Sequence, residues 1–142
     1  MIKVSVYIIC KNEEKHIKRV LESVKEFTEI IIVDSGSIDN TLEIAKNYTD
    51  NIYHQEWMGF AKQKEYARSL CLNEWVLNLD ADEELTNELK NEIIKTINEN
   101  KIDGLNIKIS SLYLGKFNNE KSKFNRRIRF FRKSLGYYPE KL

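Results

Sequence analysis

The sequence predicts an α/β domain built on a mainly parallel sheet that is covered on both faces. Three observations carry this expectation. Short β-branched, apolar runs alternate with longer stretches of helical period between Val4 and Ile97. Several of those runs are wholly apolar, as strands buried on both faces are, rather than alternating with polar residues. Polar clusters follow three of them, where the C-terminal edge of a parallel sheet gathers its ligands.

Residues 4–9 read as the first strand. Ile17, Val20, Leu21 and Val24 then recur at i, i+3, i+4 and i+7, the apolar stripe of an amphipathic helix. Residues 30–33 form a second apolar strand, and Leu42, Ile44, Ala45 and Tyr48 mark a second helix. A brief third strand at 52–54 precedes a helix over 60–72, and a fourth strand at 75–79 precedes a helix over 85–97. After Asn100 the pattern becomes α+β: residues 105–114 and 127–131 read as strands joined by the polar stretch 116–125. No repeat, low-complexity tract or linker divides the 142 residues, so a single domain over 1–142 is expected.

Composition narrows the partners. Lysine and arginine number 23 against 22 acidic residues, a net charge of +1, which suggests no nucleic-acid partner. Cys10 and Cys71 fall at core positions far apart, fitting buried free thiols of a reducing compartment better than a disulfide or a zinc site. Charge arrives too early for a signal peptide, and no apolar run approaches the roughly 20 residues of a membrane span. The expected location is cytoplasmic, with peripheral contact at the inner membrane surface left open.

Two segments carry chemistry. In VLNLDADEE, residues 76–84, an apolar strand ends in carboxylates, and in extended chain Asp80 and Asp82 point the same way. Such hard oxygen ligands suit Mg²⁺ or Mn²⁺ carrying a substrate diphosphate. The competing reading places Asp82 to Glu84 ahead of a helix, where acids complement its dipole. In EIIIVDSGSIDNT, residues 29–41, Asp34 ends a strand where it can accept a hydrogen bond from a base N–H or a ribose hydroxyl. Gly36 lets backbone approach closely there, and Asp39 suits a helix cap. Neither a GxGxxG nor a P-loop is present, which counts against dinucleotide and ATPase readings.

In order and spacing, these segments resemble the family 2 glycosyltransferases of the GT-A fold over nearly the whole chain. The motifs are Cys10-Lys11-Asn12-Glu13-Glu14, the VD-x-GS-x-D-x-T loop from Val33 to Thr41, and the D-x-D element Asp80-Ala81-Asp82. Trp57-Met58-Gly59-Phe60-Ala61-Lys62-Gln63-Lys64 is similar to the W-x-GF-x-x-QK stretch of a bacterial subgroup of lipopolysaccharide core-type transferases. The resemblance implies a GT-A-like three-layer sandwich and inverting transfer from a nucleotide-sugar, a UDP-sugar above all, to a saccharide or lipid-linked acceptor. Glu13 and Asp34 would hold the nucleoside, with Ile9 or Lys11 lining the base pocket. Lys64, where many members carry arginine, would face the nucleotide. Asp80 would contact the ribose or donor sugar across the Ala81 spacer, and Asp82 would bind a Mg²⁺ or Mn²⁺ bridging the diphosphate. Without the resemblance, Lys64 reads equally well as part of a solvated helix face.

Departures from the family pattern matter. Glu65 replaces a common asparagine and puts negative charge near the phosphates unless it points away; Asn73 replaces a glycine. Family members continue further, and a His-Glu pair tends to follow the region resembling residues 137–142. The acceptor part is therefore expected to be missing, self-association through a bared apolar face is a further expectation, and no residue is assigned as catalytic base; Glu140 reads as a solvated charge. Arg127, Arg129 and Phe131 share one face of a basic stretch, either to bind phosphate or to protect a solvated edge strand. His16 and His54 lack metal-ligand spacing, and Trp57 and Phe60 read first as core or loop packing, with sugar-stacking platforms as the alternative. Two other functions stay open: a non-catalytic nucleotide-sugar-binding unit, and a sugar-phosphate nucleotidyltransferase, whose Gly-rich basic loop is absent after the first strand.

Overall fold

The computed structural model describes residues 1–110 and 124–135, with side chains described for 1–105 and 129–134. Strand β1 (Ile2–Cys10), helix α1 (Ile17–Ser23), β2 (Phe27–Asp34), α2 (Thr41–Ala45), β3 (Ile52–His54), α3 (Phe60–Ser69), β4 (Trp75–Asn78) and α4 (Asn87–Glu99) alternate as expected. Strands β5 (Gly104–Ser110) and β6 (Phe124–Arg132) follow, then a short 3-10 turn, Lys133–Leu135. The strands form one sheet in the order β3-β2-β1-β4-β6-β5. β1 pairs in parallel with β2 and β4, and β2 with β3, whereas β6 runs antiparallel to both β4 and β5.

The period of two along each strand divides the core. Val4, Val6 and Ile8 of β1, with Ile30, Ile32 and Leu77, pack against Val20, Leu21 and Ile93 of the helices on one face. Tyr7, Ile31, Val33 and Val76 point to the other face and meet Ala67 and Cys71 at the end of α3. Three layers result, and they explain why the central strands read as continuous apolar runs rather than alternating ones.

Several boundaries move for physical reasons. Helix α4 starts at Asn87, later than expected, because the Thr86 side chain caps it by accepting the Leu89 N–H at 3.2 Å. The acid of its first turn is Glu88, and Asp82 and Glu84 precede the Thr86 cap, as the competing reading expects. Asp39 does not cap α2 in the expected way: it accepts the N–H of Thr41, the first helical residue, at 3.0 Å, forming a turn ahead of the helix. β6 lies between two strands, so the basic stretch is not a solvated edge. Most of the polar 116–125 connection, and Glu140, lie outside the described residues.

Candidate functional site

The C-terminal ends of β1, β2 and β4 open into a cavity of about 940 Å³. Ile9, Lys11, Glu13, Lys64, Asp80, Ala81 and Asp82 all line it, so seven of the eight residues singled out from sequence meet in one place. Asp34 is the exception: its neighbour Ser35 lines the cavity, while Asp34 is only 2% exposed.

The Asp34 carboxylate is turned into its own loop. Oδ2 accepts the N–H groups of Gly36 and Ser37 at 2.9 and 2.8 Å, and Oδ1 accepts the Ser37 hydroxyl and the Cys10 thiol. Burial alone would raise its pKa, but these donors outweigh burial and hold the carboxyl below its ordinary value. Gly36, at φ 119°, supplies the left-handed backbone that folds two N–H groups back onto one oxygen.

That loop is joined to the one after β1 by reciprocal hydrogen bonds that the sequence reading did not find. Asn12 donates its N–H to Ser37 Oγ and accepts the Ile38 N–H on Oδ1, both at 2.8 Å. Glu13 N–H reaches Thr41 Oγ1 at 2.8 Å, Glu14 N–H reaches Asp39 Oδ2 at 3.2 Å, and Glu14 Oε2 accepts the Asn40 N–H at 3.1 Å. Asn12 takes φ 52° to make this turn, a conformation asparagine tolerates better than most residues. Five bonds between segments some 25 residues apart build one stiff wall and hold Glu13 at the cavity. The opposite edge of Glu13 meets His16 Nδ1 at 3.0 Å.

The facing wall is the acidic turn. Asp80 and Asp82 are not on the strand, which ends at Asn78; a turn closed by Glu83 N–H to Asp80 O at 3.0 Å brings both to the cavity. Lys64 is not on a solvated face. It is 4% exposed, and its Nζ lies 3.4 Å from Asp80 Oδ1. Arg129, from β6, approaches the other oxygen: Nη2 is 3.6 Å from Asp80 Oδ2 and Nη1 is 3.0 Å from Glu83 Oε1. Burial, with Asp80 alongside, pushes the Glu83 carboxyl above its usual value, and Arg129 offsets part of that effect. Arg129 reads from sequence only as a phosphate binder or an edge charge, and its pairing with Glu83 and Asp80 was not legible because β6 meets β4 only through the sheet.

The W-x-GF-x-x-QK stretch has a physical basis. Gln63, 1% exposed, accepts the Met58 N–H at 3.1 Å and donates to the Gln55 carbonyl at 2.9 Å, bracing the loop before α3. Gly59 turns that loop at φ 96°. Trp57 and Phe60, expected as core or loop packing, are not in the core: they are 50% and 68% exposed, meet edge to face at 4.9 Å, and line the cavity. Glu65 is held by Arg68, which also donates to the Lys133 carbonyl at 2.9 Å, and it does not line the cavity. Asn73 donates to Ser5 Oγ and Thr28 Oγ1, each at 3.1 Å, a bridging task for which glycine has no side chain. Cys10 and Cys71 are free and buried, as expected; burial pushes the Cys10 thiol far up and that of Cys71 up to about 12.

The donor set suits a hard divalent ion only with help from a ligand. Among the described residues, no three His, Cys, Asp or Glu side chains cluster closely enough to hold a metal. Asp82 offers one carboxylate at the cavity, which matches Mg²⁺ or Mn²⁺ completed by phosphate oxygens and water. Among the described residues, no helix is long and apolar enough to cross a membrane.

Residues 5–141 match the family described as glycosyl transferase family 2. An uncharacterized glycosyltransferase of Rickettsia typhi, RT0209, is 40% identical over 146 residues, covering 97% of this chain and 49% of the relative. The lipopolysaccharide core biosynthesis glycosyltransferase LpsC of Rhizobium meliloti is 40% identical over 91 residues, 61% of this chain and 34% of its own. Among solved structures, residues 1–349 of TarS from S. aureus superpose with a TM-score of 0.73 at 26% identity, over 99% of this chain and 51% of that one. The same fragment solved with UDP-GlcNAc superposes with a TM-score of 0.64 at 30% identity, over 77% of this chain and 35% of that one. A glucosyl-3-phosphoglycerate synthase of Mycobacterium tuberculosis, solved with Mn²⁺ and UDP, shares the fold with a TM-score of 0.56 at 20% identity, over 67% of this chain and 39% of that one. The chain thus spans about half or less of the length of these relatives.

Proposed function

Because this chain belongs to glycosyl transferase family 2 and has the GT-A fold, we propose that its cavity binds a nucleotide-sugar donor, a UDP-sugar, with Mg²⁺ or Mn²⁺. The whole protein would transfer the sugar with inversion to a saccharide or lipid-linked acceptor in lipopolysaccharide or other envelope polysaccharide synthesis. The observation that carries the reading is the convergence of Glu13, Lys64, Asp80 and Asp82 on one cavity at the C-terminal edge of the sheet. Likeness to LpsC supports the envelope role, and likeness to TarS with UDP-GlcNAc supports the donor class. This chain supplies the donor side as a single domain.

Each residue then has a task. Glu13, on the stiff wall, accepts hydrogen bonds from the nucleoside, and Ile9 and Lys11 flank the base. Asp34 acts through its loop, fixing the backbone that the nucleoside meets. Asp80 accepts a hydroxyl of ribose or donor sugar, while buried Lys64 brings a positive charge beside the diphosphate. Asp82 would hold the divalent ion, which when bound neutralises charge on the departing nucleoside diphosphate. Peripheral contact of the protein with the cytoplasmic membrane surface would present a lipid-linked acceptor to this edge.

Incubation of the whole protein with a panel of UDP-sugars, Mn²⁺ and an acceptor extract is expected to release UDP from one donor, and Asp82→Ala to reduce that release at least about 100-fold. Binding of UDP without release from any donor would leave a binding unit and contradict the transferase reading.

A further inference from the structure

We propose that Arg129 and Glu83 form a buried positioning pair that sets the orientation of Asp80 in the donor cavity; the proposal rests on the donor-site reading above. Arg129 is 2% exposed and Glu83 5%. Their contact is fork to fork, with Nη1 at 3.0 Å from Oε1 and Nη2 at 3.3 Å from Oε2. Glu83 Oε1 also accepts the backbone N–H of Asp80 at 2.6 Å, and the Glu83 N–H closes the turn onto the Asp80 carbonyl. Arg129 Nη1 further reaches the Asn78 carbonyl at 3.4 Å, at the last residue of β4. Asp80 is therefore held at its amide and carbonyl by Glu83, and at its carboxylate by Arg129 on one oxygen and Lys64 on the other.

Neither Arg129 nor Glu83 lines the cavity, so both act through Asp80. Their packing suits positioning better than stability. The pair is buried, where two apolar residues would pack without desolvating charge. What an ion pair adds there is direction: a rigid guanidinium fork allows one placement of the carboxylate it faces. The fork comes from β6, the strand that runs against the parallel set. A catalytic or binding carboxylate needs to be fixed closely, since a misplacement of about 1 Å is enough to lose about 100-fold in rate.

The test is a pair of variants of the 142-residue chain. Glu83→Gln/Arg129→Met removes both charges together, so no buried ion is left unpaired. It is expected to keep its thermal midpoint, to shift the amide resonances of Asp80 to Glu84 but not those of Asn12 and Ser37, and to bind UDP-GlcNAc with Mn²⁺ about tenfold more weakly. Arg129→Lys, which keeps the charge but not the fork, is expected to fall between the double variant and the parent. Affinity within twofold of the parent in both would overturn the pairing proposal alone. A parent chain that binds neither UDP nor UDP-GlcNAc at any Mn²⁺ concentration would overturn the donor reading and this proposal with it. Should the double variant not fold, Arg129→Lys carries the comparison, with parent-like affinity and parent-like Asp80 resonance as the contrary result.

Discussion

At the scale of single residues, burial separates side chains that look alike in sequence. Lys64 and Lys62 both sit on α3, yet Lys64 is buried against Asp80 and Lys62 is exposed. The two thiols are buried where ionisation is disfavoured. Their folded pKa values are raised above the ordinary 9.0, so they bind protons more tightly in the folded chain. Their contribution to stability is complete below pH 9 and is lost as pH rises through the folded values, toward about 12 for Cys71. Two results are expected: iodoacetamide at pH 8 labels neither thiol in the folded chain, and urea midpoints begin to fall above about pH 9. Rapid labelling of Cys10 without unfolding would contradict its packing against Asp34. Asp34 works in the opposite sense: its lowered pKa gives stability above 3.8 that is lost as the pH falls through the folded value. Its place at a strand end was legible from EIIIVDSGS, but the direction of its carboxylate was not. Ligand and loop donors satisfy an aspartate equally well, and only the fold of Gly36 and Ser37 decides between them.

At the scale of elements, the sequence located strands well and loop partners poorly. β3 occupies the predicted residues, and the apolar stripe of α1 starts at Ile17 as expected, since both depend on local periodicity. The bonds joining the β1–α1 and β2–α2 loops depend on which strands become neighbours, and nothing in either loop announces the other. The same is true of Arg129, whose role follows from β6 inserting beside β4 rather than forming an edge. The acidic turn was legible in composition but not in geometry: two aspartates at i and i+2 face one cavity through a turn, where an extended strand had been the reason offered. Thr41, fully buried, tests the loop junction. Thr41→Val keeps the shape but leaves the Glu13 N–H without its acceptor, a change expected to cost about 1–3 kcal/mol in urea unfolding. Nucleotide affinity should fall with it, because Glu13 sits on the wall that the bond secures. Unchanged stability and affinity would mean that the wall does not depend on this junction.

At the scale of the whole molecule, three parallel strands and their loops gather one cavity, while the antiparallel pair beyond β4 sends in the arginine that orders it. The long-range logic was legible because polar clusters after separate strands must share the C-terminal edge of a parallel sheet. What lies across the cavity was less so: Trp57 and Phe60 read as packing because aromatic residues usually bury, yet both stand open at its rim. On the proposed function, this cavity is a metal-dependent site for a nucleoside diphosphate. Calorimetric titration of the 142-residue chain with UDP tests it most directly, with Mn²⁺ and with the ion removed by chelator. Saturable binding of one UDP per chain is expected, weakening at least about tenfold without the ion. Binding of equal strength in both conditions, or none in either, would contradict it.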